Sequence, residues 1–70
     1  MTPRKLRITD LREALGITQA ELSRRTGINA TTISLISHGR FIPYDGQLYR
    51  LKMALHFAGD PHELLEPADR

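Results

Sequence analysis

Residues 18–39 hold two helix starts, two helix stops and one apolar stripe. Few chain geometries satisfy that many local signals in so short a stretch. Thr18-x-x-Glu21 has capping-box spacing, in which the Thr18 hydroxyl takes the Glu21 amide and the Glu21 carboxylate reaches back. Ile17 and Leu22 stand as the N′ and N4 residues of a hydrophobic staple. The spacing predicts a helix over about 18–26, stopped by Gly27, which is free to take the left-handed backbone of a sharp turn. Asn29 then caps a second helix over about 29–38, with Ile33 and Ile36 on its apolar side, Ile28 just before it and Gly39 at its end. Thr31, Thr32, Ile33, Ser34 and Ser37 are all mediocre helix formers, so packing must hold this helix. Its free face carries short polar side chains where a buried helix would carry leucines and a solvated one charges.

The rest of the chain is helical in pattern. Residues 1–8 are a basic lead-in containing Leu6 and Ile8. A first helix is predicted over 9–15. Thr9 or Asp10 can cap it, Asp10-x-x-Glu13 has capping-box spacing, Leu11 and Leu15 share a face, and Gly16 follows. Leu6 and Ile8 are available to the same helix. Pro43 disfavours helical geometry at Ile42 and makes 40–44 a connection. Leu48, Leu51 and Leu55 recur at helical spacing in a fourth helix over about 45–57, flanked by Tyr49, Met53 and Phe57. Asp60 as cap, Pro61 at N1 and Glu63 at N3 start a last helix of one or two turns, with Leu64 and Leu65 packing back and Pro67 ending it. The expected fold is all-α, a compact five-helix bundle, with a lead-in at 1–8, the domain at 9–66 and a tail at 67–70.

At 70 residues one domain is the expectation. Such a domain buries only about 60% of its unfolded surface, so it must be compact or completed by a partner. Cysteine is absent, which excludes disulfides and cysteine-based metal sites and fits a reducing, cytoplasmic setting. The basic lead-in has no apolar run behind it, unlike a signal peptide, and no stretch approaches the roughly 20 apolar residues of a membrane span. Charge is unevenly placed. Residues 1–59 carry nine Lys/Arg against four acids (+5), and residues 60–70 carry four acids against Arg70 (−3). A basic body favours a polyanion and an acidic tail would be kept from it, although the same distribution fits ordinary surface charge with a solvated tail.

Two short helices hinged at Gly27, the second with a free face of small polar residues, point to a helix-turn-helix whose second helix reads DNA. At this point a resemblance enters. Leu11-Arg12-Glu13-Ala14-Leu15-Gly16-Ile17-Thr18-Gln19-Ala20-Glu21-Leu22 resembles the opening of phage repressor/Cro-type helix-turn-helix domains, the xenobiotic-response-element family. Gly27-Ile28-Asn29, Ile33-Ser34-x-Ile36, Gly39-Arg40, Pro43, Leu48, Leu51, Ala54-Leu55 and Asp60-Pro61-x-Glu63-Leu64-Leu65 continue it, covering about residues 6–66. The resemblance implies a lambda-repressor-like bundle and sequence-specific binding of double-stranded DNA, usually as a dimer on a two-fold site. Three positions depart from the pattern. Ser23 replaces the usual Ala. Ser37 stands where Glu commonly pairs with the Arg matching Arg12. Leu35 stands where a polar base reader is frequent.

Roles follow for individual residues. In the second helix of the motif, Asn29, Ala30, Thr31, Ser34 and Leu35 are the base-reading candidates. Asn29 can donate and accept, Thr31 and Ser34 can do either, and Ala30, the Thr31 methyl and Leu35 can meet thymine methyls. No Arg occupies these positions, so A/T-leaning or shape-assisted readout is expected. Leu35 also fits a partner contact or a core position. Gln19 at the start of the preceding helix, Thr32, His38 and Arg40 are the phosphate candidates. Arg4, Lys5 and Arg7 would add a flexible arm on the backbone or in the minor groove, or would simply be solvated. Arg24 and Arg25 suit the helix dipole. Phe41, Ile42, Tyr44 and Tyr49 would complete the core or form the two-fold interface of a homodimer.

No enzyme pattern stands out. There is no Gly-rich phosphate loop and no His pair at metal spacing; His38, His56 and His62 are scattered, and the Glu residues are accounted for by capping and solvation. No metal, cofactor, membrane or small-molecule ligand is expected. The leading expectation is a small transcriptional regulator of repressor, controller or antitoxin type, prokaryotic or phage-encoded and associated with the nucleoid. The competing ones are a protein-interaction module that kept the fold but lost DNA binding, and the DNA-binding domain of a larger protein.

Overall fold

The computed structural model describes residues 5–68. Four α-helices run in order: α1 Arg7–Ala14, α2 Gln19–Thr26, α3 Ala30–Ser37 and α4 Asp45–Ala54, followed by a 3-10 helix at Pro61–Leu65. The described residues form no strand beyond one isolated antiparallel bridge between Leu6 and Pro67. The expectation of five helices is therefore corrected to four and a 3-10 turn. Between the Asp60 cap and Pro67 the chain is too short to build an α-helical ladder, and i→i+3 bonds serve instead. Asp60 does cap it, Oδ1 accepting from the His62 amide at 2.9 Å, with Pro61 in the first turn.

α2 follows its sequence signals. The Thr18 hydroxyl accepts from the Glu21 amide at 3.0 Å, and both staple residues, Ile17 and Leu22, are buried. The reciprocal half of the expected capping box does not form. The Glu21 carboxylate faces Arg24 and Arg25 at 3.4 and 3.1 Å, because two cations one turn on outcompete a single amide. Gly27 takes φ 74°, and the chain turns sharply into α3, where Asn29 Oδ1 accepts from the Thr31 amide at 2.8 Å.

The first and fourth helices of the prediction shift. α1 begins at Arg7, earlier than 9, and neither Thr9 nor Asp10 caps it. Its amides at Thr9 and Asp10 bond the Leu6 carbonyl, and the Arg7 amide donates to the Glu66 carbonyl at 2.8 Å. The cap comes from the far end of the chain, which no local pattern encodes. α4 stops at Ala54, short of 57. His56 adopts φ 54°, the left-handed region that is costly for a side-chain-bearing residue. The Phe57 amide then bonds the Lys52 carbonyl, and Lys52 Nζ donates to the Phe57 carbonyl at 2.7 Å. The reversal turns Phe57 onto the core.

Ile8, Ile17, Leu22, Ile28, Ile33, Ile36, Leu51, Leu55 and Leu64 make one cluster contributed by every helix. α2 packs on α3 and α4, and the 3-10 helix packs on α4 and α1. α3 is thus held mainly from the α2 side and leaves its opposite face open.

Candidate nucleic-acid interface

Helical geometry sorts α3 into two faces. Ile33 and Ile36 are fully buried, while Thr31, Ser34, Leu35 and His38 lie on the opposite arc at the 3- and 4-residue spacing of one face. Thr31, Leu35 and His38 are exposed and Ser34 is half-buried. Leu35 is 39% exposed, so it is not a core residue of this chain. Ala30 sits half-buried at the border and Thr32 half-buried on the other flank. Asn29 is exposed, but its Oδ1 is spent on the cap, which leaves its amide N–H groups as the free donors. The open face is therefore small, uncharged and partly methyl-bearing.

Beside it lies a cleft of about 510 Å³ between α1, the start of α2 and the end of α3. Lys5, Gln19, His38 and Arg40, far apart in sequence, all line it, and Arg12 joins them. Gln19 is the first residue of α2. Thr18 takes the Glu21 amide with its hydroxyl and the Leu22 amide with its carbonyl. The amides of Gln19 and Ala20 remain as first-turn donors, at the positive end of the helix dipole. His38 Nδ1 lies 2.8 Å from the Ser34 carbonyl. A carbonyl only accepts, so Nδ1 carries the hydrogen and Nε2 faces outward. Arg40 is exposed, and its backbone amide closes the α3 terminus on the Leu35 carbonyl at 2.8 Å.

The basic arm does not stand free where it is described. Lys5 Nζ donates to Glu13 at 2.6 Å, its carbonyl accepts from the Ala68 amide, and Arg7 lies in α1 with Nη1 3.5 Å from Glu63. Glu13 holds the Lys5 amine above its ordinary value through their hydrogen bond, and the Glu13 carboxyl is lowered by the same bond. Arg4 lies outside the described residues.

Sequence reasoning left Arg12 out of the site, reading it only as a residue short of a partner. The structure half-buries it, with Nη1 donating to the Ile17 carbonyl at 2.9 Å and Nε buried without a partner among the described residues. The signal that could have found it is its place two turns before Gln19, across the Gly16 reversal.

Of the aromatic and apolar set, Phe41 packs against the core, its ring edge-on to Tyr44 at a 6.5 Å centroid distance. Ile42 (80%), Tyr44 (74%) and Tyr49 (58%) are exposed, as is Met53. Ile42 and Tyr44 lie on the connection into α4, and Tyr49 and Met53 on α4 itself.

A family of helix-turn-helix domains matches residues 6–69, nearly the whole chain, and is of the xenobiotic-response-element type. No curated protein and no solved structure matched.

Proposed function

The chain belongs to the helix-turn-helix domain family, and on that premise we propose that it binds double-stranded DNA through α3 in the major groove, as a small transcriptional regulator. One observation carries the reading: the uncharged open face of α3 lies beside a cleft lined by Lys5, Arg12, Gln19, His38 and Arg40. Thr31, Ser34, Leu35, Ala30 and the Asn29 amide meet base edges. Gln19, Thr32, His38 and Arg40 meet phosphates on either side. Short side chains let the helix approach the groove floor, and the absence of Arg from the readout positions favours thymine-rich steps over a guanine core.

Two copies act together on a two-fold site, joined through Ile42, Tyr44 and Tyr49, with α3 helices one DNA turn (about 34 Å) apart. The exposure of Ile42 and Tyr44 supports this, since a two-fold interface over them would take their apolar surface out of water.

Selection from random DNA, followed by anisotropy titrations at several salt concentrations, tests the reading. The expected result is an inverted repeat, and a log–log salt slope that each phosphate contact steepens by roughly 0.9. Salt-independent or absent binding, with Gln19→Ala and Arg40→Ala both silent, would overturn it and assign the exposed apolar residues to a protein partner instead. Sedimentation showing a monomer both free and on duplex would remove the dimer alone.

A further inference from the structure

We propose that the groove between the end of α2 and α4 docks a segment of a partner protein that carries a carboxylate beside an apolar side chain. Arg25, Tyr49, Arg50, Met53 and Ala54 line about 300 Å³ of open space there. None of them belongs to α3 or lines the cleft beside it, so the groove shares no residue with the surface assigned to DNA. Tyr49–Met53 and Arg50–Ala54 are each one turn apart, which lays them in two adjacent rows along α4, and Arg25 faces the groove from α2. Tyr49 and Met53 are both more than half exposed. Tyrosine, methionine and arginine together are the composition that protein interfaces concentrate.

Charge fixes the chemistry of the occupant. No acidic residue lines the groove. Arg25 shares Glu21 with Arg24, whereas Arg50 forms no ion pair among the described residues. Arg50 Nη1 donates instead to the Thr26 carbonyl at 3.4 Å, at the negative end of the α2 dipole. That bond holds the guanidinium at the groove and leaves Nε and Nη2 as a fork for a carboxylate. The neighbouring Tyr49–Met53 row takes the apolar side chain, and the flexible thioether adapts to its shape.

Other occupants fit less well. A duplex backbone would satisfy the arginine and leave the Tyr49–Met53 row in water. A small ligand needs a pocket that encloses most of its surface, and this groove is open. A second copy has few carboxylates to offer: Glu13, Glu21 and Glu63 face cations of their own chain, and Asp45 and Asp60 face His62. The inference stands without the DNA-binding reading. Tyr49 is also assigned to the two-fold interface, so the test uses Arg50 and Met53.

The probe is a blocked peptide of alternating glutamate and leucine, titrated into the isotope-labelled full chain at constant ionic strength and followed by NMR. Saturable shifts are expected at the Arg50 Nε–Hε, the Arg25 amide and the Met53 methyl. Arg50→Gln should raise the dissociation constant roughly two- to fivefold, the range open to an exposed ion pair, and Arg50→Lys should recover part of that loss. Met53→Ser should weaken binding too, as should glutamine for glutamate or serine for leucine in the peptide. Both positions are exposed, and melting temperatures near that of the wild type should show that the variants fold. No saturable shift, or shifts unchanged in Arg50→Gln and Met53→Ser, would overturn the proposal. Concentration-dependent shifts of the same groups without peptide, lost in Met53→Ser, would overturn it in favour of a second copy. A DNA-binding salt slope lower by roughly 0.9 in Arg50→Gln would overturn it in favour of a phosphate contact.

Discussion

Gly27 adopts φ 74°, and a Cβ placed on it would come no nearer than 3.9 Å to its closest neighbour, Arg50 Nη1. Space is not what excludes a side chain there; backbone conformation is. Gly27→Ala should cost about 1–2 kcal/mol in urea denaturation, the ordinary cost of the left-handed region for an L-residue. His56 bears the opposite assignment, a side chain at φ 54° where glycine would be unstrained. His56→Gly should raise the melting temperature through a gain of up to about 1 kcal/mol, and a drop would show that the His56 side chain contributes something the backbone argument omits. Asn29→Ala removes the acceptor for the Thr31 amide and should cost about 1 kcal/mol, with DNA affinity falling beyond what that loss of stability explains if Asn29 also reads a base.

The elements differ in what sustains them. α2 has a side-chain cap, a glycine stop and a Glu21–Arg25 pair one turn apart, all local. α3 has a cap but an interior of Thr and Ser, and stands because Ile33 and Ile36 are wholly buried against its neighbours. Substitutions on its two faces should therefore separate stability from binding. Ile33→Ala or Ile36→Ala should cost about 2–5 kcal/mol and leave little folded protein in a domain this small. Thr31→Ala and Ser34→Ala should leave the melting temperature unchanged or raise it slightly, since alanine is the better helix former, while DNA affinity falls. Loss of both together would place those residues in the core and discredit the free-face assignment. Leu35→Ala adds a test of readout: replacing thymine by uracil in the selected site should weaken the wild type more than this variant.

At the scale of the whole molecule, the two chain ends clasp. Arg7 donates to the Glu66 carbonyl, Ala68 donates to the Lys5 carbonyl, and the Lys5–Glu13 ion pair joins the lead-in to α1. The pair is about half exposed on both sides, so water screens it and its contribution is small. Its pH dependence still has a definite sign. The Glu13 carboxyl is lowered in the fold, so its stabilisation is complete above the unfolded carboxylate value and is lost as pH falls through the lower, folded one. The Lys5 amine is raised, so its share is complete below the unfolded amine value and is lost as pH rises through the higher, folded one. Asp60 is lowered chiefly by the His62 amide and behaves like Glu13. Melts across pH should show stability declining on the acid side, with Lys5→Gln and Asp60→Asn each reducing the decline. An unchanged acid limb in both variants would remove these carboxylates from the account.

The sequence by itself determined the middle of the molecule. Thr18, Gly27, Asn29 and Gly39 act through bonds within a few residues, so α2, the turn and α3 were legible, and the period of Ile33 and Ile36 told which face of α3 would be open. Tertiary structure decided the ends. α1 starts at Arg7 because Glu66 supplies an acceptor from across the chain, and α4 stops at Ala54 because a strained His56 lets Phe57 reach the core. Only folding could gather Lys5, Arg12, Gln19, His38 and Arg40 around one cleft, or leave the buried Nε of Arg12 there without a hydrogen-bond partner among the described residues. Caps and turns are local chemistry that a short stretch of sequence encodes, whereas a charge balance is summed over space.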